Sequence, residues 1–165
     1  MNPQDTHNWN ATAFFENLTD RNRLARSENF VFCRVSGLEG FEEALHVIQS
    51  APAIVAVSDT SQGYMEMNNT PRTRRVKTVF LAMRHALDDM AARQECFDTL
   101  RELFRQYMSV LLQEKTRLEE NRIFLDPQFS FTEIVRSFFS GAACAYFQIA
   151  IDTFTDLRYN VSEWT

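Results

Sequence analysis

The sequence predicts an α+β domain: an antiparallel sheet of four or more strands, a long helix packed across it, and additional N-terminal helices. Three observations carry this. Strand-like segments follow one another across turns without regular βαβ alternation. From about Asp89 to Glu120 a broad apolar stripe repeats at helical spacing. The chain has 165 residues, 45% of them apolar and 24% charged, which are the proportions of a folded domain and exclude a disordered chain. Residues 1–165 are therefore read as one domain, with residues 1–10 polar and expected to be disordered.

From Thr12 to Arg26, Phe14, Phe15, Leu18 and Leu24 recur at mixed helical spacing and predict a helix. Asn29 to Val35 is rich in aromatic and β-branched residues, is closed by Ser36-Gly37, and predicts a strand. Leu38 to Ser50 returns to helical spacing through Phe41, Leu45 and Ile48. Glu39, Glu42 and Glu43 sit near its start, where a helix carries partial positive charge, and Ala51-Pro52 ends it. Ala53 to Ser58 is a second strand. Asp59 to Gly63 is turn chemistry, so Tyr64 to Met67 is expected to pair back as a hairpin. After the Asn68-Asn69-Thr70-Pro71 turn, Arg74 to Arg84 forms a long strand. Val79, Leu81 and Met83 share one face of it; Val76, Thr78, Phe80 and Ala82 share the other. Apolar residues on both faces predict a central strand, or one covered by a neighbouring subunit.

The long helix places Phe97, Leu100, Leu103, Phe104, Tyr107, Met108, Leu111, Leu112 and Leu118 on its stripe, with Asp88 as the expected N-cap. At 1.5 Å per residue it reaches roughly 45 Å, so one end is expected to project or bend. Residues 121–128 read as a break with Asp126-Pro127 as the stop. Phe129 to Phe138 reads as a strand, Ser140-Gly141 as a tight link, and Ala143 to Thr155 as the last strand. Asp156 to Thr165 reads as a polar tail.

Seventeen basic and twenty-two acidic residues give a net charge of −5, a field that repels a phosphate backbone unless a local basic patch intervenes. The N-terminus lacks the basic and apolar regions of a secretory signal. No apolar run approaches the ~20 residues of a membrane span, so no membrane is expected and a cytoplasmic location is the default reading. Cys33, Cys96 and Cys144 are odd in number and far apart, which fits reduced buried thiols. His7, His46 and His85 are scattered with no ligand spacing, and Gly-rich phosphate loops and a nucleophile elbow are missing; no metal, cofactor or catalytic residue is expected. His85 near Asp88 and Asp89 has the composition of a base with an orienting carboxylate, or of a strand-end residue beside a helix cap. A reactive thiol at Cys33 would have only Arg34 beside it to lower its pKa.

The densest charge is Arg72-Thr73-Arg74-Arg75-Val76-Lys77. Arg72, Arg74, Arg75 and Lys77 are candidates for a subunit contact with an acidic neighbour or for a DNA contact; a solvated strand edge is the third reading. Acidic partners for a subunit contact are available in Asp88, Asp89, Glu119 and Glu120. Fifteen phenylalanines, with adjacent pairs at Phe14-Phe15 and Phe138-Phe139, call for either a thick core or an apolar interaction surface.

The stretch Ala51 to Val57, the expected hairpin, Arg75 to Ala82 and the long helix together resemble the tail-terminator and minor tail proteins of long-tailed bacteriophages. In that family an x-Pro-Ala strand opens a meander, a long strand follows, one helix crosses the sheet, and a final strand, here Ala143 to Thr155, closes it. The likeness covers residues 40–156 as a pattern of elements; the longer crossing helix and the extra helix and strand of Thr12 to Val35 depart from it. It implies a prophage origin and a non-enzymatic structural protein of the phage tail or head–tail junction. Such a protein forms an oligomeric ring, usually hexameric, that terminates the tail tube. Its partners would be copies of itself, tail-tube and head-completion proteins, with DNA close by, and its location the host cytoplasm and then the virion. The alternative is a small oligomeric α+β binding protein with no phage role.

Overall fold

The computed structural model describes residues 9–36, 46–59, 62–134 and 141–164. In chain order these form α1 (Ala11–Arg21), α2 (Arg23–Ser27), β1 (Phe30–Val35), a helical stretch α3 (46–50), β2 (Ala53–Ser58), β3 (Gln62–Glu66), β4 (Arg72–Arg84), α4 (Met90–Glu120), β5 (Ile123–Leu125), β6 (Phe131–Glu133), β7 (Ala142–Phe154) and a 3₁₀ turn (Val161–Glu163). Residues 1–8, the start of the expected 38–50 helix and the Phe138-Phe139 pair lie outside the described residues.

Strands β4 and β7 pair antiparallel along their whole length, from Arg72 opposite Phe154 to Arg84 opposite Ala142. Strands β2, β3, β5 and β6 attach directly to this ladder, and β1 attaches through β2. Strands β2 and β3 lie one after the other along the same edge of β4: Ala53–Val57 face Met83–Val79, and Gln62–Glu66 face Val76–Arg72. The hairpin expected between them does not form, because a strand as long as β4 offers room for both. Strands β5 and β6 likewise share the free edge of β7. Strand β1 pairs in parallel with β2, so the sheet is mixed and not wholly antiparallel. Parallel pairing needs a crossover of about a dozen residues, which the stretch between Val35 and Ala53 supplies.

Helices α1 and α4 cover one face of the sheet. Cys96, Phe97, Leu100, Leu103, Tyr107, Leu111 and Leu118 of α4 meet Val79, Leu81, Ala145, Phe147, Ile149 and Ile151, with Phe15 of α1 wedged between Tyr107 and Phe147. Phe104 stands at the border of this core, its ring 4.6 Å from Phe131 and 5.0 Å from Phe147. Leu112, placed on the stripe by spacing, is 71% exposed. The helix neither needs to project nor to find a second body: its 31 residues measure about 46 Å, and the 13-residue strands beneath it about 43 Å. Its N-cap is Asp89, one residue later than expected, whose carboxylate accepts the Ala92 N–H at 2.9 Å. It ends at Asn121, and Arg122 at φ 60° turns the chain back toward β5.

The predicted helix Thr12–Arg26 is two helices, because Asn22 adopts an extended backbone and caps the second by accepting the Ala25 N–H at 2.8 Å. One polar pair is sealed beneath α1. Thr19 Oγ1 donates to Phe15 O at 2.7 Å, so the Tyr107 hydroxyl 2.8 Å away is the donor to Thr19. Burial pushes the Tyr107 phenol well above its ordinary value.

On the opposite, outer face a smaller cluster of Val35, Ile48, Ala51, Ile54, Ala56, Phe80, Ala82 and Cys144 lies beneath α3. Gly141, at φ 91°, immediately precedes β7, where an added Cβ would stand 2.3 Å from His85 O.

If α4 is held by this face, Leu103→Ala lowers unfolding stability by about 2–5 kcal/mol, whereas Leu112→Ala changes it by no more than about 0.5 kcal/mol. Urea denaturation of the two variants side by side checks the assignment; equal losses would refute it.

Candidate interaction surface

The even-numbered positions of β4 and β7 alternate onto the outer face, in phase with Phe80 and Cys144. Near α3 they are covered. Beyond Thr78 they are not: Val76, Arg74 and Arg72 of β4, and Gln148, Ala150, Asp152 and Phe154 of β7, are half-buried or exposed. Cross-strand pairing arranges this end in rows. One runs Tyr64, Arg74, Asp152, Phe124; the next runs Glu66, Arg72, Phe154.

Within these rows the Arg72 guanidinium carbon lies 5.5 Å from the Phe124 ring centroid and 5.2 Å from that of Phe154. The two rings meet edge to face at 5.7 Å, so Arg72 rests on an aromatic corner with its charge in water. Arg74 bridges two carboxylates, Asp152 at 3.1 Å and Asp126, all three side chains about three-quarters buried. The Gln128 N–H and then the Arg74 guanidinium hold the Asp126 carboxyl below its ordinary 3.8, against the opposing effect of burial. Arg74 is raised in turn, chiefly by its hydrogen bond to Asp126.

Lys77 points to the other face. Its Nζ donates to Ser58 O at 2.8 Å and Asp59 O at 2.7 Å, and the Thr78 N–H donates to Ser58 Oγ at 3.1 Å. These bonds serve the carbonyls and amide that the break between β2 and β3 would otherwise leave unpaired. Desolvation lowers the Lys77 pKa, partly offset by Asp59. The basic run read as one patch is therefore divided. Alternation sends Arg72 and Arg74 to the outer face and Arg75 and Lys77 to the helix face, Arg74 is matched by two carboxylates, and Lys77 pins a strand break. Arg72 and Arg75 are the exposed residues of the run.

The remaining sequence candidates are not drawn together. His85 Nδ1 donates to Ala86 O at 2.8 Å and its Nε2 is buried without a hydrogen-bond partner among the described residues; Asp89 serves as a helix cap instead of an orienting carboxylate. Burial raises Cys33 to about 11 and Cys144 to about 12, and raises Cys96 as well, so all three thiols are protonated near neutrality. Arg34 pairs with Glu16 at 3.4 Å. Among the described residues no group of three or more His, Cys, Asp or Glu could hold a metal ion, and no helix is long and apolar enough to cross a membrane.

Strand β3 completes the surface. All five of its residues are exposed, and among the described residues only β4 pairs with it, so among them its outer edge is open. Tyr64, Met65 and Met67, 83% exposed in the last case, stand beside a recess of about 530 Å³ lined by Glu66, Asn68, Asn69, Thr70 and Arg72. Spacing could not flag this region, because its exposure depends on which strands pair and on where the outer-face cluster ends. A second recess of about 200 Å³ lies between α4 and β6 at Met90, Arg93, Gln94, Phe97, Glu133 and Ile134. Beside it Arg101 grips Glu133 with two bonds of 2.6 and 2.9 Å. Compared with known proteins, the chain matches no family model and no curated sequence.

The Asp126–Arg74–Asp152 cluster has a signature in acid. A carboxyl whose folded pKa lies below its unfolded one stabilises the fold above the unfolded value, and that contribution is lost as pH falls through the folded one. Stability should fall as pH drops below about 4, and Asp126→Asn should flatten that fall. Arg74→Met, which leaves two adjacent carboxylates, should cost about 1–3 kcal/mol at neutral pH. Denaturant midpoints measured against pH decide both; an unchanged acid profile in Asp126→Asn would remove Asp126 from the account.

Proposed function

We propose that the chain is a non-enzymatic assembly protein that joins copies of itself through the uncovered end of its sheet. The observation that carries this reading is the juxtaposition of an open strand edge at β3 with exposed Tyr64, Met65 and Met67 and the Phe124–Arg72–Phe154 corner. Apolar surface of this kind favours contact with another protein over water. An unpaired edge supplies directional hydrogen bonds for the same contact. A repeated head-to-tail contact closes into a ring when its rotation permits.

The ring of a phage tail terminator is the specific form of this proposal. Its support is the order of elements: an x-Pro-Ala strand, the long β4, the crossing α4 and the closing β7. In that role the partners are the tail-tube and head-completion proteins, and DNA passes nearby. Arg72 and Arg75, on opposite faces of β4, would give at most a weak, salt-sensitive affinity for duplex.

Sedimentation velocity of the chain across a concentration series should show reversible association, and negative-stain images of the associated form should show closed rings. Tyr64→Ser should weaken association at least about tenfold, about 1.4 kcal/mol, and shift the unfolding midpoint little, because the ring it removes is exposed. A chain that stays monomeric at about 0.1 mM, where even weak complexes populate, would overturn the assembly reading. Open dimers without rings would overturn the tail-terminator form alone.

A further inference from the structure

The segment that follows β7 has the pattern of a strand and no sheet to join. Thr155 is its last tie to the body, through an N–H donated to Pro71 O at 3.0 Å. Residues 156–164 are exposed throughout, and among the described residues their hydrogen bonds stay within the segment: Arg158 to Asp156, Ser162 to Asn160, Asn160 to Glu163. Yet Leu157, Tyr159 and Val161 alternate with Arg158, Asn160 and Ser162, which is the period of a half-buried strand. The Tyr159 and Trp164 rings stack on each other in solvent, 76% and 74% exposed.

We propose that this segment adds as an antiparallel strand to the open β3 edge of a second copy, which rests on the self-assembly reading above. Side-chain chemistry selects the register. With Leu157 opposite Met67, Tyr159 falls opposite Met65 and Val161 opposite Gly63, so one face is apolar throughout. On the other face Arg158 falls opposite Glu66 and Asn160 opposite Tyr64. Apolar and opposite-charge cross-strand pairs are each worth a fraction of a kcal/mol, and slipping by one residue sets Leu157 against Glu66 and Arg158 against Met65. Arg158 holds Asp156 through Nε and Nη2, leaving Nη1 for Glu66.

The partner must be a different copy. Within one chain the segment leaves from β7, and the outer edge of β3 lies three strand spacings away across β4 and β3, about 14 Å. Thr155 and Leu157 are two residue steps apart, which reach about 7 Å at full extension. The donated strand therefore links one copy to the next, a heterologous contact of the kind that builds rings.

Sedimentation of three variants tests this: a chain ending at Thr155, Arg158→Glu alone, and Arg158→Glu combined with Glu66→Arg. The shortened chain should nearly keep its unfolding midpoint, since the residues it loses are exposed, and should associate at least about tenfold more weakly. Arg158→Glu should weaken association as well, and the added Glu66→Arg should restore it. If the shortened chain associates like the parent, the strand donation is wrong while assembly through other surfaces stands. If shortening weakens association but the charge exchange restores nothing, the β3 edge is not the acceptor and the proposal falls. Should the shortened chain fail to fold, the charge exchange, made at two exposed positions, decides alone. A parent that never associates overturns the assembly reading itself, and this proposal with it.

Discussion

The antiparallel ladder between β4 and β7 is the constraint from which the rest of the molecule follows. Two 13-residue strands paired from end to end form a platform about 43 Å long. A platform of that length accepts two strands in succession on each edge, and it does so with β2 and β3 on one side and β5 and β6 on the other. It also sets the length that a helix can usefully cover. Helix α4 matches it, its 31 residues measuring about 46 Å. Burial along this interface is the main source of stability: each fully buried Leu, Ile or Phe contributes about 1.5–3 kcal/mol relative to exposure.

Cover on the two faces is unequal, and that asymmetry creates the surface. On the helix face α1 and α4 together shield the core, with Phe15, Phe147, Phe104 and Phe131 in successive ring contact. On the outer face the cluster beneath α3 ends near Phe80. Past that point the strands continue with nothing described above them. The phenylalanine surplus is divided accordingly: most of the described rings are in or against the core, and Phe124 and Phe154 form the aromatic corner under Arg72.

Electrostatics in this chain is mostly internal carpentry. Arg74 joins the ends of β4, β5 and β7 by binding Asp126 and Asp152, and Lys77 closes the β2–β3 break. A run of cations in sequence becomes a patch on a helix face or in a loop, but in a strand the pleat separates neighbours onto opposite sides. That is why the densest charge in the sequence does not form the densest charge on the surface. The exposed pairs along α4, such as Arg105 with Glu102 and Lys115 with Glu119, add little, since solvent screens them.

Local chemistry was readable wherever the signal lies within a few residues. The α+β class, the span of α4 within a residue or two, the apolar β2 and the long β4 and β7 all follow from periodicity and breakers, because alternation and helical stripes are properties of the chain itself. So does the Asn68-Asn69-Thr70-Pro71 turn, whereas the Asn22 cap was hidden inside a continuous helical pattern whose interruption depends on one side chain choosing to cap. What needed the tertiary structure is pairing. The parallel β1–β2 contact, the end-to-end placement of β2 and β3, and β5, three residues recruited from an apparent turn, are each decided by which edge is vacant on a neighbouring strand. The interaction surface belongs to the same category. Tyr64, Arg72 and Phe154 look ordinary in sequence, and they become a candidate surface because strand pairing between segments far apart in the chain sets them side by side on the outer face, beyond the cluster that ends near Phe80.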